Sequence, residues 1–234
     1  SDAAPSDVQV QRGNFDSKYG ALYYPWLEIP DPFPANPLNI QNVGIPPSGH
    51  VMGIYARSDI TRGVHKAPAN EVVNNIVDFS HHVDTGTQDI LNPLGINVLR
   101  DFRPENRGLR VWGARTISSD TSWKYVSTRR LFIFLEKSIE LGTQWVVFEP
   151  NNQILWVRVK QSISEFLVDV WRTGALMGTK PSEAFYVTCD LTTMTQSDLE
   201  NGRLIVEIGV AVTYPAEFVI FRIGQWAGGS TVTE

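Results

Sequence analysis

Tyr125–Pro150, YVSTRRLFIFLEKSIELGTQWVVFEP, is the segment with the most informative pattern in the chain. Apolar residues recur at helical spacing over residues 129–141, and Gly142 then supplies a C-terminal stop. Arg129 and Arg130 carry the wrong charge for the first turn of a helix, which favours negative charge. The pattern therefore predicts a helix over Arg129–Leu141. It also predicts an acidic partner for the two arginines, either within the fold or on a neighbouring molecule.

A second helix is predicted directly downstream, from about Gln153 to Thr173. Asn151 or Asn152 would cap its start, and Gly174 would end it. Its buried stripe at helical spacing comprises Leu155, Val159, Ile163, Phe166 and Val170. Its other side is charged, for which a solvated face is the simplest interpretation, and includes Lys160, Asp169 and Arg172.

Shorter patterns around these helices predict a mixed β-sheet packed with helices, an α/β (α+β) fold. Residues 1–50 are rich in proline and are predicted to be largely irregular, with the first 14 the least ordered. We expect one α/β domain over residues 1–215, including this irregular N-terminal segment. The other predicted elements are strands at Tyr19–Tyr24, Ile96–Leu99, Leu109–Thr116, Phe185–Cys189 and Leu204–Val212, and a short helix at Gly49–Arg57 capped by Ser48.

The final predicted strand, Glu217–Ile223, is apolar on both faces. Phe218 and Ile220 would lie on one side of it, and Val219, Phe221 and Ile223 on the other. Such a strand must be covered on both sides or become an adhesive edge. We expect it to insert into a sheet of its own chain or of a neighbour. Trp226, in the glycine-rich tail that follows, is the first candidate for an interface anchor.

Composition excludes several classes of protein. The chain has 234 residues, of which 42% are hydrophobic and 19% charged, as is typical of a globular protein. Its formal net charge of −5 argues against nucleic-acid binding, which usually requires a basic surface. No apolar run reaches the roughly 18 residues of a membrane span. A single cysteine cannot form an internal disulfide and is typical of synthesis in the cytoplasm.

The motifs that could carry chemistry are incomplete. Gly174–Lys180 resembles a phosphate-binding loop, but three residues rather than four separate its glycines, and threonine precedes its lysine. His81 and His82 with Asp84 suggest a metal site, but adjacent histidines diverge and no second cluster completes a tetrahedral set. Cys189 has no nearby base and is most simply a small buried apolar residue. We predict no catalytic, cofactor-binding or metal site.

A series of segments in a fixed order carries a family resemblance from about Ser17 to the C-terminus. Together they resemble the C-terminal part of contractile tail sheath proteins of bacteriophages and related injection machines. The segments are SKYGALYYPW (17–26), IPPSGHVMGIYARSDITRGVHKAPANE (45–71), GINVLRDF (95–102), RGLRVWGART (107–116), WKYVSTRRLFIFLEKSIELGTQWVVFEPN (123–151), FLVDVWRTGALMG (166–178), EAFYVTCD (183–190), NGRLIVEIGVAVTYPAEFVI (201–220) and RIGQ (222–225).

The resemblance implies a structural, non-enzymatic subunit without a cofactor. Copies of it would form hexameric rings or a six-start helix around an inner tail tube and contract to drive the tube through a target cell envelope. Arms would add strands to the sheets of neighbours. The resemblance assigns residues 216–234 to a C-terminal arm, with Phe218, Val219, Ile220, Phe221, Ile223 and Trp226 as its subunit-linking residues. It assigns Lys160, Asp169 and Arg172 to a tube-facing surface.

Several alternatives stay open at this point. The particle could be a phage tail, assembled in the bacterial cytoplasm, or a bacteriocin-like or extracellular injection particle. Sheath proteins carry an N-terminal arm and further outer domains before the segment that corresponds to Ser17 onward, so a fragment is expected. A soluble α/β enzyme with an unrecognised site and a monomeric binding module are the alternatives from other classes. Either should bury the terminal strand within its own chain.

Overall fold

The computed structural model describes residues 4–36 and 38–220. Helices and mixed sheets make up an α/β fold, as predicted. None of the described helices is both long and apolar enough to cross a lipid bilayer. The helices are α1 (Pro5–Arg12), α2 (Ser48–Arg62), α3 (Thr85–Leu91), α4 (Val126–Gly142), α5 (Gln153–Arg172), α6 (Pro181–Ala184) and α7 (Gln196–Glu200). The strands are β1 (Leu22–Tyr24), β2 (Leu27–Pro30), β3 (Asn42–Ile45), β4 (Glu71–Val72), β5 (Asp78–Phe79), β6 (Ile96–Phe102), β7 (Gly108–Val111), β8 (Phe185–Thr188) and β9 (Glu207–Val210).

Two sheets occupy the first half of the chain. The larger has the order β1-β6-β7-β4, with β1 parallel to β6 and the other pairs antiparallel. The smaller has the order β3-β2-β5 and is antiparallel. Strand β6 is buried on both faces because alternate side chains enter different hydrophobic clusters. Ile96 packs with Val8 of α1 and Leu91 of α3. Leu99 packs on the other face with Ile54 of α2.

The second half of the chain is organised around α5. The side chains of Val159 and Leu167 are almost completely inaccessible to solvent. They belong to a cluster that includes residues of α4 and of the antiparallel pair β8–β9. Burying each such side chain contributes about 1.5–3 kcal/mol. Asn152 caps the helix, because its Oδ1 accepts hydrogen bonds from the backbone N–H groups of Ile154 and Leu155 at 3.0 and 3.2 Å.

The two long helices confirm the predictions from periodicity. α4 begins at Val126 rather than Arg129, and α5 ends at Arg172. Both arginines of α4 have acidic partners within the fold. Arg129 lies 3.0 Å from Glu136 of the same helix, and Arg130 reaches Asp59 of α2. One member of the predicted buried stripe of α5, Phe166, is only partly buried. The adjacent Leu167 takes the fully buried position.

The N-terminal segment is more regular than predicted. Residues 5–12 form a helix, which suits a proline at its first position and Asp7 in its first turn. β2 and β3 pair as an antiparallel hairpin within the segment that was predicted to be largely irregular. Pro30 ends β2, and Pro32 and Pro34 fall in the connection, where no ladder hydrogen bond is required. α2 includes Ser48 as its first residue and extends beyond the predicted end to Arg62.

Several predicted strands are shorter in the structure. β7 ends at Val111 rather than at residue 116, and β9 spans Glu207–Val210 rather than residues 204–212. In the described part of the chain β9 pairs only with β8, so the ladder stops where β8 stops. Residues 217–220 belong to no strand, and within residues 4–36 and 38–220 no strand pairs with them.

The contact between Arg130 and Asp59 should stabilise the packing of α4 against α2. Arg130 Nη1 lies 2.8 Å from Asp59 Oδ1, and the guanidinium covers the ring of Tyr55 at 4.8 Å from its centroid. Arg130→Ala leaves a half-buried carboxylate without its partner. We expect the free energy of unfolding in urea to fall by about 1.5–3 kcal/mol. Lys137→Ala is the control, because its exposed pair with Glu140 is worth about 0.5 kcal/mol or less. Equal losses in both variants would contradict this role.

Candidate assembly surfaces

The C-terminal segment, residues 211–220, leaves β9 and crosses back toward the first half of the chain. Its first residues run beside the segment that follows α5. The N–H of Met177 donates to the carbonyl of Ala211 at 2.8 Å, and the N–H of Thr213 donates to the carbonyl of Ala175 at 3.2 Å. Tyr214 then lies against the ring of Tyr125, with centroids 6.2 Å apart. Among the described residues, backbone hydrogen bonds therefore attach the segment as far as Thr213.

Glu217 makes the next attachment through a cluster of polar side chains. Arg115 binds its carboxylate with both arms of the guanidinium, with Nε–Oε1 at 2.8 Å and Nη2–Oε2 at 2.7 Å. Asn92 donates to Oε1 at 3.2 Å and the hydroxyl of Tyr125 donates to Oε2 at 3.1 Å. The ammonium of Lys124 lies 3.6 Å from Oε2. A bidentate, charge-assisted contact of this kind is among the stronger ones that proteins form.

The ionisation of Glu217 reflects two opposing effects. Partial burial raises the pKa of its carboxyl group, but hydrogen bonds and charge from Arg115, with hydrogen bonds from Asn92 and Tyr125, outweigh this effect. The pKa of Glu217 is therefore lowered from its ordinary value. At neutral pH the side chain is a carboxylate, which is the form that the surrounding donors bind.

Beyond Glu217 the described chain presents apolar side chains to solvent. Phe218, Val219 and Ile220 are 68%, 71% and 82% exposed. Three consecutive exposed apolar residues are typical of a surface that is covered by another molecule. The other arm residues predicted from the sequence, Phe221, Ile223 and Trp226, lie outside the described residues, and their roles stay predictions.

The β8–β9 pair offers edges to which a strand from another subunit could be added. β8 and β9 form a two-stranded sheet among the described residues, so each has an outer edge with unused backbone groups. Beside them is an open groove of about 750 Å³. Its walls are mainly apolar and include Val146, Phe148, Leu155, Val159, Ile163, Leu204, Val206 and Ile208.

Phe148 is an unexpected feature at the rim of this groove. Its backbone has φ +68°, a left-handed conformation that bulky residues rarely adopt, and its side chain is fully exposed. Residues held in such conformations cluster at functional sites. The sequence offers only a weak signal for it, an aromatic residue in the turn between two predicted helices.

The charged residues of α5 do not form one continuous patch. Asp169 and Arg172 form an exposed ion pair, with Oδ1 and Nη1 3.1 Å apart. Lys160 is also exposed, but nine positions from Asp169 at about 100° per residue place the two half a turn apart. Lys160 lies near Asp190 instead. The pKa of Asp190 is lowered by hydrogen bonds from Thr192 and by the charge of Lys160. The tube-facing role of these residues stays a prediction.

The residues considered for chemistry have ordinary structural contacts. Cys189 is buried, as predicted, and burial raises the pKa of its thiol, which disfavours the reactive thiolate. His82 lies near Asp78 and Asp101, and ligand atoms of the three are within 4.8 Å of one another. Arg103 already binds both carboxylates, at 2.8 Å to Asp78 and 2.7 Å to Asp101. A cation at this cluster would have to compete with that guanidinium.

Family models and relatives show the protein family to which the chain belongs. Residues 3–117 match the model of the phage tail sheath protein central domain, and residues 118–225 match the phage tail sheath C-terminal domain. A prophage major tail sheath protein of Pseudomonas aeruginosa is 27% identical over 191 residues, covering 77% of this chain and 47% of that protein. The chain thus spans less than half the length of this relative.

Solved structures give the same result at higher identity. The contracted sheath of the extracellular contractile injection system PVC is 35% identical, with a TM-score of 0.86 over 96% of this chain and 61% of that chain. The contracted helical sheath of the anti-feeding prophage is 41% identical, with a TM-score of 0.81 over 96% of this chain and 59% of that chain. The chain belongs to the phage tail sheath family, and its described helices and sheets build regions that match the central and C-terminal domains of that family.

Proposed function

We propose that this chain is a structural subunit of a contractile sheath, which polymerises around an inner tube and shortens to drive that tube through a target cell envelope. The observation that carries the proposal is the exposed apolar run Phe218–Ile220, which extends from a firmly attached Glu217 in a member of the sheath family. A monomeric enzyme or binding module would be expected to bury such a run within its own chain.

The arm of one subunit would bind a neighbour by strand addition. The outer edges of β8 and β9 offer backbone donors and acceptors, and the groove beside β9 offers apolar contacts. Main-chain hydrogen bonds supply affinity in such complexes, while alternate side chains fill pockets. The tether would survive rotation of the subunits, because a bound arm keeps its partner at high effective concentration.

Contraction would follow from the difference between two packings of the same subunits. Standard protein interfaces bury on the order of 1,600 Å², and every subunit of a sheath repeats several of them. An extended sheath in a less favourable arrangement would release the difference as the rings rotate and slide. No enzymatic step or cofactor is part of this mechanism. We propose the inner tube as the second partner, contacted by the exposed side of α5, and a virion tail or injection particle as the location.

A second candidate within this class is the sheath of an extracellular injection particle rather than of a phage tail. Identities of 35% and 41% to the PVC and anti-feeding prophage sheaths support it, against 27% to the prophage protein of Pseudomonas aeruginosa. Both candidates use the same assembly and the same contraction, and differ in the particle to which the sheath belongs.

Negative-stain electron microscopy of the protein at its full natural length tests the proposal. We expect hollow striated tubes or stacks of rings, formed by the protein alone or when its inner tube is added. Dispersed monomers at high concentration, in the presence of the tube as well as in its absence, would contradict the proposed function. Assembly without the inner tube would also show that contacts between copies of this protein are sufficient for it.

A further inference from the structure

We propose that Glu217 is a positioning residue that fastens the base of the C-terminal arm to the region formed by residues 3–117. A pull on the arm would then act on the four-stranded sheet of that region and not only on β9. The pull itself rests on the proposed function, whereas the attachment does not.

The partners of Glu217 show which part of the chain holds it. Glu217 lies in the region that matches the C-terminal domain, but Arg115 and Asn92 lie in the region that matches the central domain. Lys124 and Tyr125 contact it from the start of the C-terminal region, close to the boundary between the two. The carboxylate thus joins both regions at one point.

Arg115 is itself held by the sheet. Its Nη1 donates to the carbonyl of Asn92 at 2.6 Å, and its backbone N–H donates to Oδ1 of Asn97 at 2.6 Å. Asn97 lies in β6 and is fully buried. Its Nδ2 donates to the carbonyls of Arg115 and of Leu22 in β1, at 2.8 and 3.1 Å. Hydrogen bonds therefore run without interruption from Glu217 through Arg115 and Asn97 to two strands of the sheet.

The position of Glu217 along the segment decides where the arm becomes free. Backbone hydrogen bonds attach the described part of the segment as far as Thr213, and the side chains of residues 218–220 are exposed. Without the carboxylate, the last attachment would move back to Thr213 and Tyr214. The arm would then lengthen by several residues and lose its connection to the sheet, which would lower the effective concentration that it imposes on a bound neighbour.

Spin labelling at the exposed Ala216 tests the attachment directly. We would place a nitroxide on Ala216→Cys in a Cys189→Ser background and record electron paramagnetic resonance spectra. In the otherwise unchanged protein the label should show an immobilised component, which Glu217→Gln should remove. Glu207→Gln is the matched control, since the Glu207 carboxylate accepts a hydrogen bond from the exposed Tyr186 hydroxyl at 3.1 Å. This substitution should leave the spectrum unchanged. An immobilised label in Glu217→Gln would overturn the proposal.

A pH titration of the same label supplies a second readout. Because the pKa of Glu217 is lower in the folded protein than its ordinary value of 4.5, its contribution is complete above pH 4.5 and is lost as the pH falls through the lowered pKa. The charged and titratable groups that face Glu217 are Arg115, Lys124 and Tyr125. We therefore expect the label to become mobile only below pH 4.5, and the Glu217→Gln spectrum not to change with pH.

Glu217 lines a cleft that contains another titratable group. His65 lines it together with Arg62 and Lys66, and burial lowers the pKa of this imidazole. Repeating the titration in His65→Gln separates the two groups. The acid transition should be retained in this variant. Its disappearance would assign the transition to His65 and overturn the pH part of the proposal.

Electron microscopy of the same variants separates this inference from the proposed function. If Glu217→Gln mobilises the label and also prevents or weakens contraction of tubes, both the attachment and its mechanical role are supported. If the label is mobilised but tubes form and contract normally, the mechanical role is overturned. If the unchanged protein forms no tubes while Glu217→Gln still mobilises the label, the attachment stands and the proposed function fails.

Discussion

Replacing Phe218, Val219 and Ile220 together with serine should abolish assembly into tubes while leaving the monomer folded. The three side chains are 68%, 71% and 82% exposed, so the folded monomer gains little from them. We expect the free energy of unfolding to change by less than about 0.5 kcal/mol. In the assembly, each apolar side chain that becomes buried would contribute about 1.5–3 kcal/mol. Losing three of them in every subunit should therefore remove tubes from electron micrographs.

The chain offers a matched control for this variant. Phe33, Leu38 and Ile40 in the β2–β3 connection are also apolar and are 89%, 96% and 54% exposed. Replacing these three with serine removes a comparable exposed surface at a different place. Tubes should persist in this control. Normal assembly and contraction of the Phe218–Val219–Ile220 variant would contradict the arm's role, and equal loss in both variants would show that general surface hydrophobicity is responsible.

Leu167→Ala should produce the largest loss of stability among single substitutions in α5. Leu167 is completely inaccessible to solvent and lies within the cluster between α5, α4 and the β8–β9 pair. Truncating a buried leucine removes its transfer free energy and leaves a cavity, at a combined cost of about 2–5 kcal/mol. Urea denaturation followed by tryptophan fluorescence measures this loss. The midpoint should shift to lower urea at an unchanged slope.

Ile154→Ala is the control on the same helix. Its side chain is 73% exposed, so its removal creates no cavity. We expect a change within about 0.5 kcal/mol. Similar losses in the two variants would mean that the buried stripe of α5 does not organise the second half of the chain.

The helices were predictable because their signals are local. Apolar residues of α4 and α5 recur within a turn or two of each other, and Asn152 and Gly142 mark ends that depend on neighbouring residues alone. The reason given for acidic partners of Arg129 and Arg130 was wrong, because α4 begins at Val126 and both arginines lie beyond its first turn. The partners themselves exist, and the structure shows that they are Glu136 and Asp59.

The strands were predicted less well because a strand needs a partner. Leu204–Val212 alternates over its whole length, yet only Glu207–Val210 runs beside β8. The β2–β3 hairpin was missed because its prolines dominate the local sequence pattern. In the structure β2 has a second neighbour, β5, which the local pattern does not reveal.

The α/β character, the two long helices, the sheath family and the apolar run after Pro215 could be predicted from the sequence, because each rests on order or periodicity along the chain. The way in which that run is attached could not be predicted without the fold. Glu217 binds Arg115 across 102 residues of sequence, and Asn97 connects that arginine to β1 and β6. Contacts of this range follow from how the sheets and helices pack. Local propensity carries no information about them, because the groups that meet are distant in the unfolded chain.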